Sequence, residues 1–379
     1  MRALMLASVA SMIDQFNRNN IALLEEMGYE VDVACNFQVG NTSSDTQVSR
    51  FKNELVENGN KVIDIPIPRQ PLAVKDIVKS YKMVKKLVKQ REYDLVHCHS
   101  PIGGAIARLA CKDQRKKGLK VIYTAHGFHF FTGAPKKNWI IFYPIEKYLG
   151  RYTDCLITIC EEDYTRAKKK KIGKEVVYSP GVGICVSDIK NMKKDQTYRD
   201  EIGLSHEDIL VLSVGELSKR KNHEVVLRAI AGLNRKDIHY VICGKGILED
   251  KLRLTAKELG IEKQLHLLGF RTDAKEWLQT ADIFAFPSYQ EGLPVALMEA
   301  MAAGLPVVCS RIRGNEDLVV DGQGGYLCNP SSVEEFSKYI EQLVKQPQLQ
   351  KKMGEYNQKR VEQFDIANVE TIMRDIYTM

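Results

Sequence analysis

The stretch FPSYQEGLPVALMEAMAAGLPVVCS, residues 286–310, decides the fold of the second half of the chain. The apolar residues before Pro287 predict a strand, a turn follows at Gly292 and Leu293, and a helix is predicted to begin near Pro294, a residue favoured in a first helical turn. Parallel α/β sheets bind ligands at the carboxyl ends of their strands, where helix N-termini present free N–H groups. The turn is therefore predicted to bind an anion.

Two carboxylates flank this turn and helix. Glu291 precedes the glycine, and Glu299 lies a little over two helical turns beyond it. Carboxylates at both ends of one short element can hold two hydroxyl-bearing groups while the amides between them hold phosphate. Either residue alone would be interpreted as an ordinary surface charge. The pair, together with the small-residue run AMAAG, favours a ligand site.

The alternation of strand-like runs and amphipathic stretches continues on both sides of this segment. A first series of strands runs from RALMLASV to EVVYSPG, and a second series from ILVLSVG to GGYLC follows the polar interval SDIKNMKKDQTYRDEIGLSHED. A chain of 379 residues is long enough for two cores. The predicted fold is α/β with two Rossmann-like domains facing across a cleft, residues 1–184 and 185–362. The last stretch, 363–379, is predicted to pack back on the first domain.

In this setting EGLPVALMEA resembles the glutamate–x7–glutamate signature of retaining glycosyltransferases of family 4. The resemblance covers nearly the whole chain and is closest to bacterial capsular and exopolysaccharide enzymes. It implies the GT-B fold and a retaining, metal-independent transfer of a hexose or N-acetylhexosamine from a nucleotide diphosphate sugar, with UDP favoured. The acceptor that it implies is a polyprenyl diphosphate-linked saccharide.

The resemblance also implies roles for single residues. Glu291 matches the glutamate that contacts the donor sugar, and Glu299 matches the one that holds the ribose. Lys221, in VGELSKRKNHE, matches the lysine that neutralises the departing diphosphate, a task suited to a fixed cation. The predicted donor-binding residues are Gly215, Arg220, Lys221, Phe270, Arg271, Ser288, Glu291, Gly292, Leu293 and Glu299.

The chain departs from the family pattern at Glu216, where arginine is usual. One cationic contact to the leaving group is thereby removed, and Lys219 or Arg220 could replace it. The segment LGFRTDAKEW resembles the base-recognition region of the family. Backbone groups around Phe270 and Arg271 are expected to hold the nucleobase, and Arg271 is the side chain expected to touch the nucleotide.

In the first half, KVIYTAH ends a strand with His126, and Gly127 follows. A histidine at this end of a strand can hydrogen-bond a substrate hydroxyl, and the glycine allows close approach of the backbone. It resembles the histidine that family members place near the donor sugar. His126, Glu291 and Lys221 are therefore the predicted catalytic residues.

The strand end DLVHCHSP carries two further candidates, His99 and Ser100, which with Gly127 are predicted to lie on the acceptor side. His97 and His99 share a face of the strand and could be mistaken for a metal pair. No third metal-binding residue lies at a sequence spacing typical of metal sites, and no Asp-x-Asp motif is present. Neither a metal nor another cofactor is therefore predicted.

Charge is distributed unevenly along the chain. The net charge of +7 combines an excess of positive charge in residues 1–184 with a small negative balance in the rest. The lysines are concentrated in 74–91, 112–120 and 166–174, at helical spacings beside apolar residues. This pattern predicts contact with anionic lipid or polyphosphate, with a solvated helix face as the open alternative. Nucleic acid is not predicted, because no aromatic stacking pattern accompanies the charge.

The sequence contains no apolar run of membrane-spanning length and no signal-peptide pattern. We therefore expect a cytoplasmic protein, peripheral on the inner face of the cell membrane. The nine cysteines form no Cys-x-x-Cys pair, and several lie in apolar runs. They are predicted to be reduced core residues.

Two other functions remain open at this level. A nucleotide-sugar epimerase of the same fold would convert the donor without an acceptor. A non-enzymatic, basic membrane-binding protein would explain the charge but not EGLPVALMEA. A dinucleotide-dependent dehydrogenase is disfavoured, because no Gly-x-Gly-x-x-Gly run follows the first strand.

Overall fold

The computed structural model describes all residues from Met1 to Met379, and the chain forms two compact units. The first unit contains residues 1–182 and 369–379, and the second contains residues 183–368. Each unit has one parallel sheet with helices around it. The predicted architecture of two Rossmann-like α/β domains is confirmed.

The sheet of the first unit has seven strands in the order β3-β2-β1-β4-β5-β6-β7. These strands are β1 (Arg2–Val9), β2 (Glu30–Asn36), β3 (Lys61–Asp64), β4 (Leu95–His99), β5 (Lys120–Ala125), β6 (Cys155–Thr158) and β7 (Glu175–Tyr178). The helices between them are α1 (Ala10–Phe16), α2 (Arg18–Glu26), α3 (Asp45–Glu57), α4 (Val74–Arg91), α5 (Pro101–Ala110), α6 (Lys112–Arg115), α7 (Lys136–Leu149) and α8 (Glu161–Lys170).

The second unit has six strands in the order β10-β9-β8-β11-β12-β13. They are β8 (Ile209–Val214), β9 (Ile238–Cys243), β10 (Leu265–Gly269), β11 (Ile283–Phe286), β12 (Val307–Ser310) and β13 (Gly325–Cys328). The remaining helices are α9 (Val186–Lys190), α10 (Thr197–Asp200), α11 (His223–Gly232), α12 (Glu249–Glu258), α13 (Ala274–Thr280), α14 (Val295–Ala302), α15 (Asn315–Leu318), α16 (Val333–Lys345), α17 (Pro347–Arg360) and α18 (Ile366–Thr378).

The strands form because their residues can be buried on both faces of a sheet. Parallel strands covered by helices carry continuous apolar runs, and all of β1 after its first residue is buried. In the first unit, one core lies under α1, α2, α3 and the end of α18, and a second core lies under α4, α5 and α7. Eight of the nine free cysteines are buried, and Cys185 is partly exposed.

The strand orders place a topological switch point in each sheet. The chain turns back between β1 and β4 in the first unit and between β8 and β11 in the second. Ligands of open α/β sheets bind beyond the carboxyl ends of the strands at such points. Ser100 follows β4 and Gly215 follows β8, so residues selected from the sequence lie at both switch points. Among the helices, none is both long enough and apolar enough to cross a bilayer.

Candidate functional site

Lys221 and Glu291 form an ion pair at the switch point of the second unit. The Lys221 Nζ lies 2.9 Å from Glu291 Oε1, and both side chains are almost fully buried. The ammonium also lies 4.6 Å from the centroid of the Phe286 ring, at the end of β11. Burial lowers the pKa of Lys221, and the carboxylate of Glu291 partly offsets that effect. A Cβ at Gly215 would lie 3.1 Å from Lys221 Cε, so the glycine leaves room for the lysine stem.

Arg220 brings a second cation to the same carboxylate. Its Nη1 lies 2.8 Å from Glu291 Oε1 and donates a hydrogen bond of 3.0 Å to the carbonyl oxygen of Gln290. The backbone carbonyl of Arg220 accepts a hydrogen bond of 2.8 Å from the N–H of Tyr289. Of the two residues considered as replacements for the missing arginine, the structure brings Arg220, and not Lys219, to Glu291.

The turn after Glu291 has free backbone donors. The N–H groups of Gly292 and Leu293 take no part in the hydrogen bonds of the surrounding turn and helix. α14 begins at Val295 and Pro294 is its cap residue, one position later than the sequence indicated. The first N–H groups of a helix lack intrahelical partners, so this end attracts anions. The turn is shaped by Gly314, at φ +78°, where a Cβ would overlap the Gly292 carbonyl oxygen.

Glu299 lies on α14, and its side chain is mostly buried. Its nearest cation is Lys275, whose Nζ lies 3.8 Å from Glu299 Oε1, and burial raises the pKa of the carboxyl. Lys275 belongs to α13, which begins shortly after Phe270. Phe270 is 63% exposed, so its ring is accessible to a ligand.

The Arg271 side chain is already engaged by two carboxylates. Its guanidinium lies 2.8 Å from Glu201 and 2.6 Å from Asp273. The residue predicted to touch the nucleotide is thus held in ion pairs, whereas the neighbouring Phe270 is exposed. Ser288, the remaining donor-side candidate, is fully buried, and its hydroxyl has no hydrogen-bond partner.

In the first unit, three histidines converge at the ends of β4 and β5. His99 Nδ1 lies 3.2 Å from His126 Nε2. His97 bonds Thr124 through Nε2 and Tyr377 through Nδ1, each at 2.8 Å. Burial lowers the pKa of His97 to about 3 and that of His126 to about 4, and it lowers the pKa of His99 as well. All three rings are therefore neutral at physiological pH.

The hydroxyl of Ser100 has a partner within the protein. Its Oγ lies 2.7 Å from Ser8 Oγ and accepts a hydrogen bond of 3.0 Å from the Ser8 N–H. Ser100 has φ +64° and ψ 152°, a conformation rare outside glycine that is commonest at functional sites. A Cβ at Gly103 would lie 2.9 Å from Ser100 Oγ, so this close packing needs the glycine. Gly127, with φ +132°, follows His126 at the same edge of the sheet.

Sequence reasoning missed two members of this cluster, His97 and Tyr377. His97 is not among the residues selected for the acceptor side, and Tyr377 lies 280 positions away from it in the chain. No local pattern marks such a pair, because it arises where α18 packs on the first unit. The apolar spacing of the last stretch was the only available signal.

Two units, each with one Rossmann-like parallel sheet and polar residues at its switch point, have the architecture of the GT-B fold. The family model for Glycosyltransferase Family 4 matches residues 17–180, and the model for glycosyl transferases group 1 matches residues 194–360. The chain belongs to glycosyltransferase family 4.

Individual proteins agree with this assignment. The chain is 36% identical over 359 residues to the putative glycosyltransferase EpsD of Bacillus subtilis, covering 93% of this chain and 90% of EpsD. It is 29% identical over 320 residues to the Escherichia coli UDP-Gal:alpha-D-GlcNAc-diphosphoundecaprenol alpha-1,3-galactosyltransferase, covering 80% of each. The crystal structure of Anabaena HepE in complex with UDP matches with a TM-score of 0.77 at 19% identity over the whole of both chains, a likeness of fold.

Proposed function

We propose that this glycosyltransferase moves a hexose or an N-acetylhexosamine from a UDP-sugar to a polyprenyl diphosphate-linked saccharide, with retention of configuration. The observation that carries the proposal is the convergence of Lys221 and Arg220 on Glu291, beside the free amides of Gly292 and Leu293. Two cations and a row of N–H groups form a site for a diphosphate.

The ion pair of Lys221 with Glu291 explains how the site is kept intact before the donor binds. An almost fully buried cation without a partner would be strongly destabilising, so Glu291 neutralises Lys221 until the donor arrives, and the exposed Arg220 pairs with the same carboxylate. The diphosphate then takes over the cations, and the freed carboxylate of Glu291 accepts hydrogen bonds from the hydroxyls of the transferred sugar. Glu291 thus orients the sugar and is not a covalent nucleophile.

The chemical step requires no acid or base beyond the substrates. The acceptor hydroxyl forms a bond to the anomeric carbon on the face from which UDP departs, and the bond from that carbon to the β-phosphate oxygen breaks. The hydroxyl proton passes to the departing phosphate. Lys221 and Arg220 stabilise the negative charge that develops on UDP, which is the task a metal performs in other transferases. Transfer is therefore metal-independent.

The other residues hold the two ends of the donor. Glu299 accepts hydrogen bonds from the ribose hydroxyls, which suits a partly buried carboxylate whose nearest cation lies 3.8 Å away. The exposed Phe270 ring and the backbone beside it receive the uracil, and Arg271, which Glu201 and Asp273 hold in position, contacts the nucleotide. His126, whose Nε2 lies 3.2 Å from His99 Nδ1, is neutral and can hydrogen-bond a substrate hydroxyl.

The acceptor is inferred from the relatives and from charge. The Escherichia coli relative is named for transfer to a GlcNAc-diphosphoundecaprenol acceptor. Residues 1–184 of this chain carry most of its excess lysine and arginine, which suits a diphosphate-bearing lipid in an anionic membrane. We assign the protein to capsule or exopolysaccharide synthesis, peripheral on the inner face of the cell membrane.

The test is a transfer assay with purified protein, a panel of UDP- and GDP-sugars, and lipid-linked saccharides extracted from cells that make surface polysaccharide. We expect one UDP-sugar to give a lipid-linked product longer by one residue, with equal rates in EDTA and in magnesium. Sugar conversion without acceptor would instead identify an epimerase. Loss of transfer in EDTA would contradict the role given to the fixed cations.

A further inference from the structure

Helix α7 presents an apolar face to solvent. Lys136–Leu149 buries Trp139, Phe142 and Tyr143 against the core of the first unit, in whole or in part. The opposite side carries Ile140, which is 74% exposed, and Ile141, which is 52% exposed. A helix on the surface of a globular domain normally has its apolar residues on the buried side alone.

The exposed apolar face continues to the end of the helix. Ile145 is 47% exposed and Tyr148 is 48% exposed, and Pro144, which precedes Ile145, is exposed as well. Positions 140, 141, 144, 145 and 148 follow the spacing of one helical face. Four large apolar side chains on one face form a patch, which differs from the scattered single apolar residues common on protein surfaces.

Basic residues surround this face. Lys136 and Lys137 are exposed at the start of α7, and Arg151 follows its end, with its guanidinium 5.8 Å from the Tyr148 ring. Lys147 donates to the carbonyls of Lys170 and Lys171. This contact holds the lysine run at the end of α8 beside the end of α7.

Negative charge is absent from the face itself. The only carboxylate in α7 is Glu146, which is buried, with Glu146 Oε2 2.8 Å from Arg108 Nη1. An apolar stripe bordered by cations and free of exposed carboxylates matches the boundary between the headgroups and acyl chains of an anionic bilayer. A tyrosine near the border suits that boundary as well.

We propose that the exposed face of α7 docks the protein on an anionic membrane, with Ile140, Ile141 and Ile145 inserted among the acyl chains. The inference rests on the proposed function in one respect, since a lipid-linked acceptor explains why docking is needed. In a parallel β-α-β unit the helix starts at the carboxyl edge of the sheet, so α7 begins at the edge that carries His126. Docking through this helix places the acceptor side of the first unit next to the bilayer.

The lysines of α4 extend the same surface. α4 and α7 pack on the same core of the first unit, and so lie on one side of its sheet. α4 exposes a row of lysines along its outer side, including Lys75, Lys79, Lys82 and Lys86. Each lysine near an anionic surface contributes about 1 kcal/mol of attraction, which is roughly a fivefold gain in affinity. The charge attracts the protein, and the isoleucines hold it.

The experiment measures sedimentation of the full-length protein with vesicles. Wild-type protein is expected to bind vesicles of phosphatidylglycerol and phosphatidylethanolamine, with affinity falling as salt rises, and to bind pure phosphatidylcholine weakly. The combined variant Ile140→Ser, Ile141→Ser and Ile145→Ser should lose at least about tenfold in affinity. Lys136→Gln with Lys137→Gln should lose affinity for the anionic vesicles alone.

The matched control replaces apolar residues of similar or greater exposure elsewhere, Val56→Ser, Ile247→Ser and Leu254→Ser. It should bind vesicles within about twofold of wild type. The α7 variant should keep the wild-type melting temperature and its stabilisation by UDP, so that loss of docking is separated from failure of the fold or of the donor site.

Three results would overturn the proposal: no binding of wild-type protein to anionic vesicles, equal binding by the α7 variant, or a fall in molar mass by light scattering in that variant. The last result would show that the face joins two copies of the chain. Vesicle binding needs no donor sugar, so failure of the transfer assay leaves this test intact.

Discussion

The ammonium of Lys221 lies 2.9 Å from the carboxylate of Glu291, and both side chains are almost fully buried. Burial penalises each charge, and each neutralises the other. In the proposed mechanism the diphosphate of the donor replaces Glu291 as the partner of Lys221. Lys221 and Glu291 thus stabilise the protein before the donor binds, and both contact the donor once it is bound.

Removing the Lys221 charge should therefore affect catalysis more than donor binding. Lys221→Ala removes the cation nearest to the leaving group, and loss of one fixed electrostatic contact typically lowers kcat by about 10²–10³-fold. Lys219→Ala, in the same loop, should stay within about twofold of wild type. Steady-state kinetics with the preferred UDP-sugar provide the comparison. Equal rates for the two variants would exclude Lys221 from the leaving-group site.

Arg220 should provide the cationic contact that Glu216 removes. Arg220→Ala is expected to lower kcat/KM by about tenfold or more, because a charge-assisted hydrogen bond to the diphosphate contributes about 1.5–3 kcal/mol. Adding Glu216→Arg to that variant should restore part of the loss, since it places arginine at the position where the family has it. Steady-state kinetics give kcat/KM for Arg220→Ala and for the double variant with Glu216→Arg. Full activity of Arg220→Ala would refute it.

Glu299→Gln should raise the stability of the ligand-free protein and weaken the binding of UDP. Burial raises the pKa of Glu299, so the folded state holds its proton more tightly than the unfolded state does. The ionised carboxylate therefore destabilises the empty protein at neutral pH, and stability due to this group increases as pH falls through its pKa. The variant should melt above wild type without ligand. UDP should raise the melting temperature of the variant by less than it raises that of wild type.

The histidine cluster should make the first unit sensitive to acid. The pKa of His97 is about 3 in the folded protein, against about 6.5 in an unfolded chain. The unfolded state binds more protons between these values, so stability is complete above pH 6.5 and declines below it by about 1.4 kcal/mol per pH unit for each such histidine. Urea unfolding at pH 7, 6 and 5 measures the slope. His97→Gln should reduce it by about one proton.

Tyr377→Phe tests the contact that joins α18 to this cluster. The variant leaves His97 Nδ1 without its partner in a fully buried position, which is expected to lower the free energy of unfolding by about 1–3 kcal/mol. Tyr148→Phe removes an exposed hydroxyl and should change stability by less than about 0.5 kcal/mol. Urea unfolding of both variants at pH 7 makes the comparison. Similar small changes would show that the Tyr377 bond contributes nothing.

The sequence predicted the two sheets because buried parallel strands have a simple signature, a short apolar run followed by a turn. Lys221, Arg220 and Glu291 could be grouped before the structure because each stands just after a strand of one sheet, at the edge where ligands bind. The pairing of Arg220 and Lys221 on one oxygen could not be predicted, because it depends on side-chain directions within a loop.

Two other features lay beyond the reach of sequence patterns. The ion pairs of Arg271 with Glu201 and Asp273 could not be predicted, because Glu201 lies 70 positions earlier in the chain. The exposed apolar face of α7 could not be predicted either, because KKNWIIFYPIEKYL has apolar residues on both sides of the helix. Which side is buried depends on the core beneath it.

The most direct test of the central claim is calorimetric titration of UDP into the purified protein in the presence of EDTA, repeated with Glu299→Gln. The account predicts that UDP binds wild type without metal, that NAD does not bind, and that the variant binds UDP at least about tenfold more weakly, as expected for loss of a charged hydrogen-bond acceptor. Absence of UDP binding at millimolar concentration, or binding that requires magnesium, would contradict the assignment of the second unit as a metal-independent UDP-sugar site.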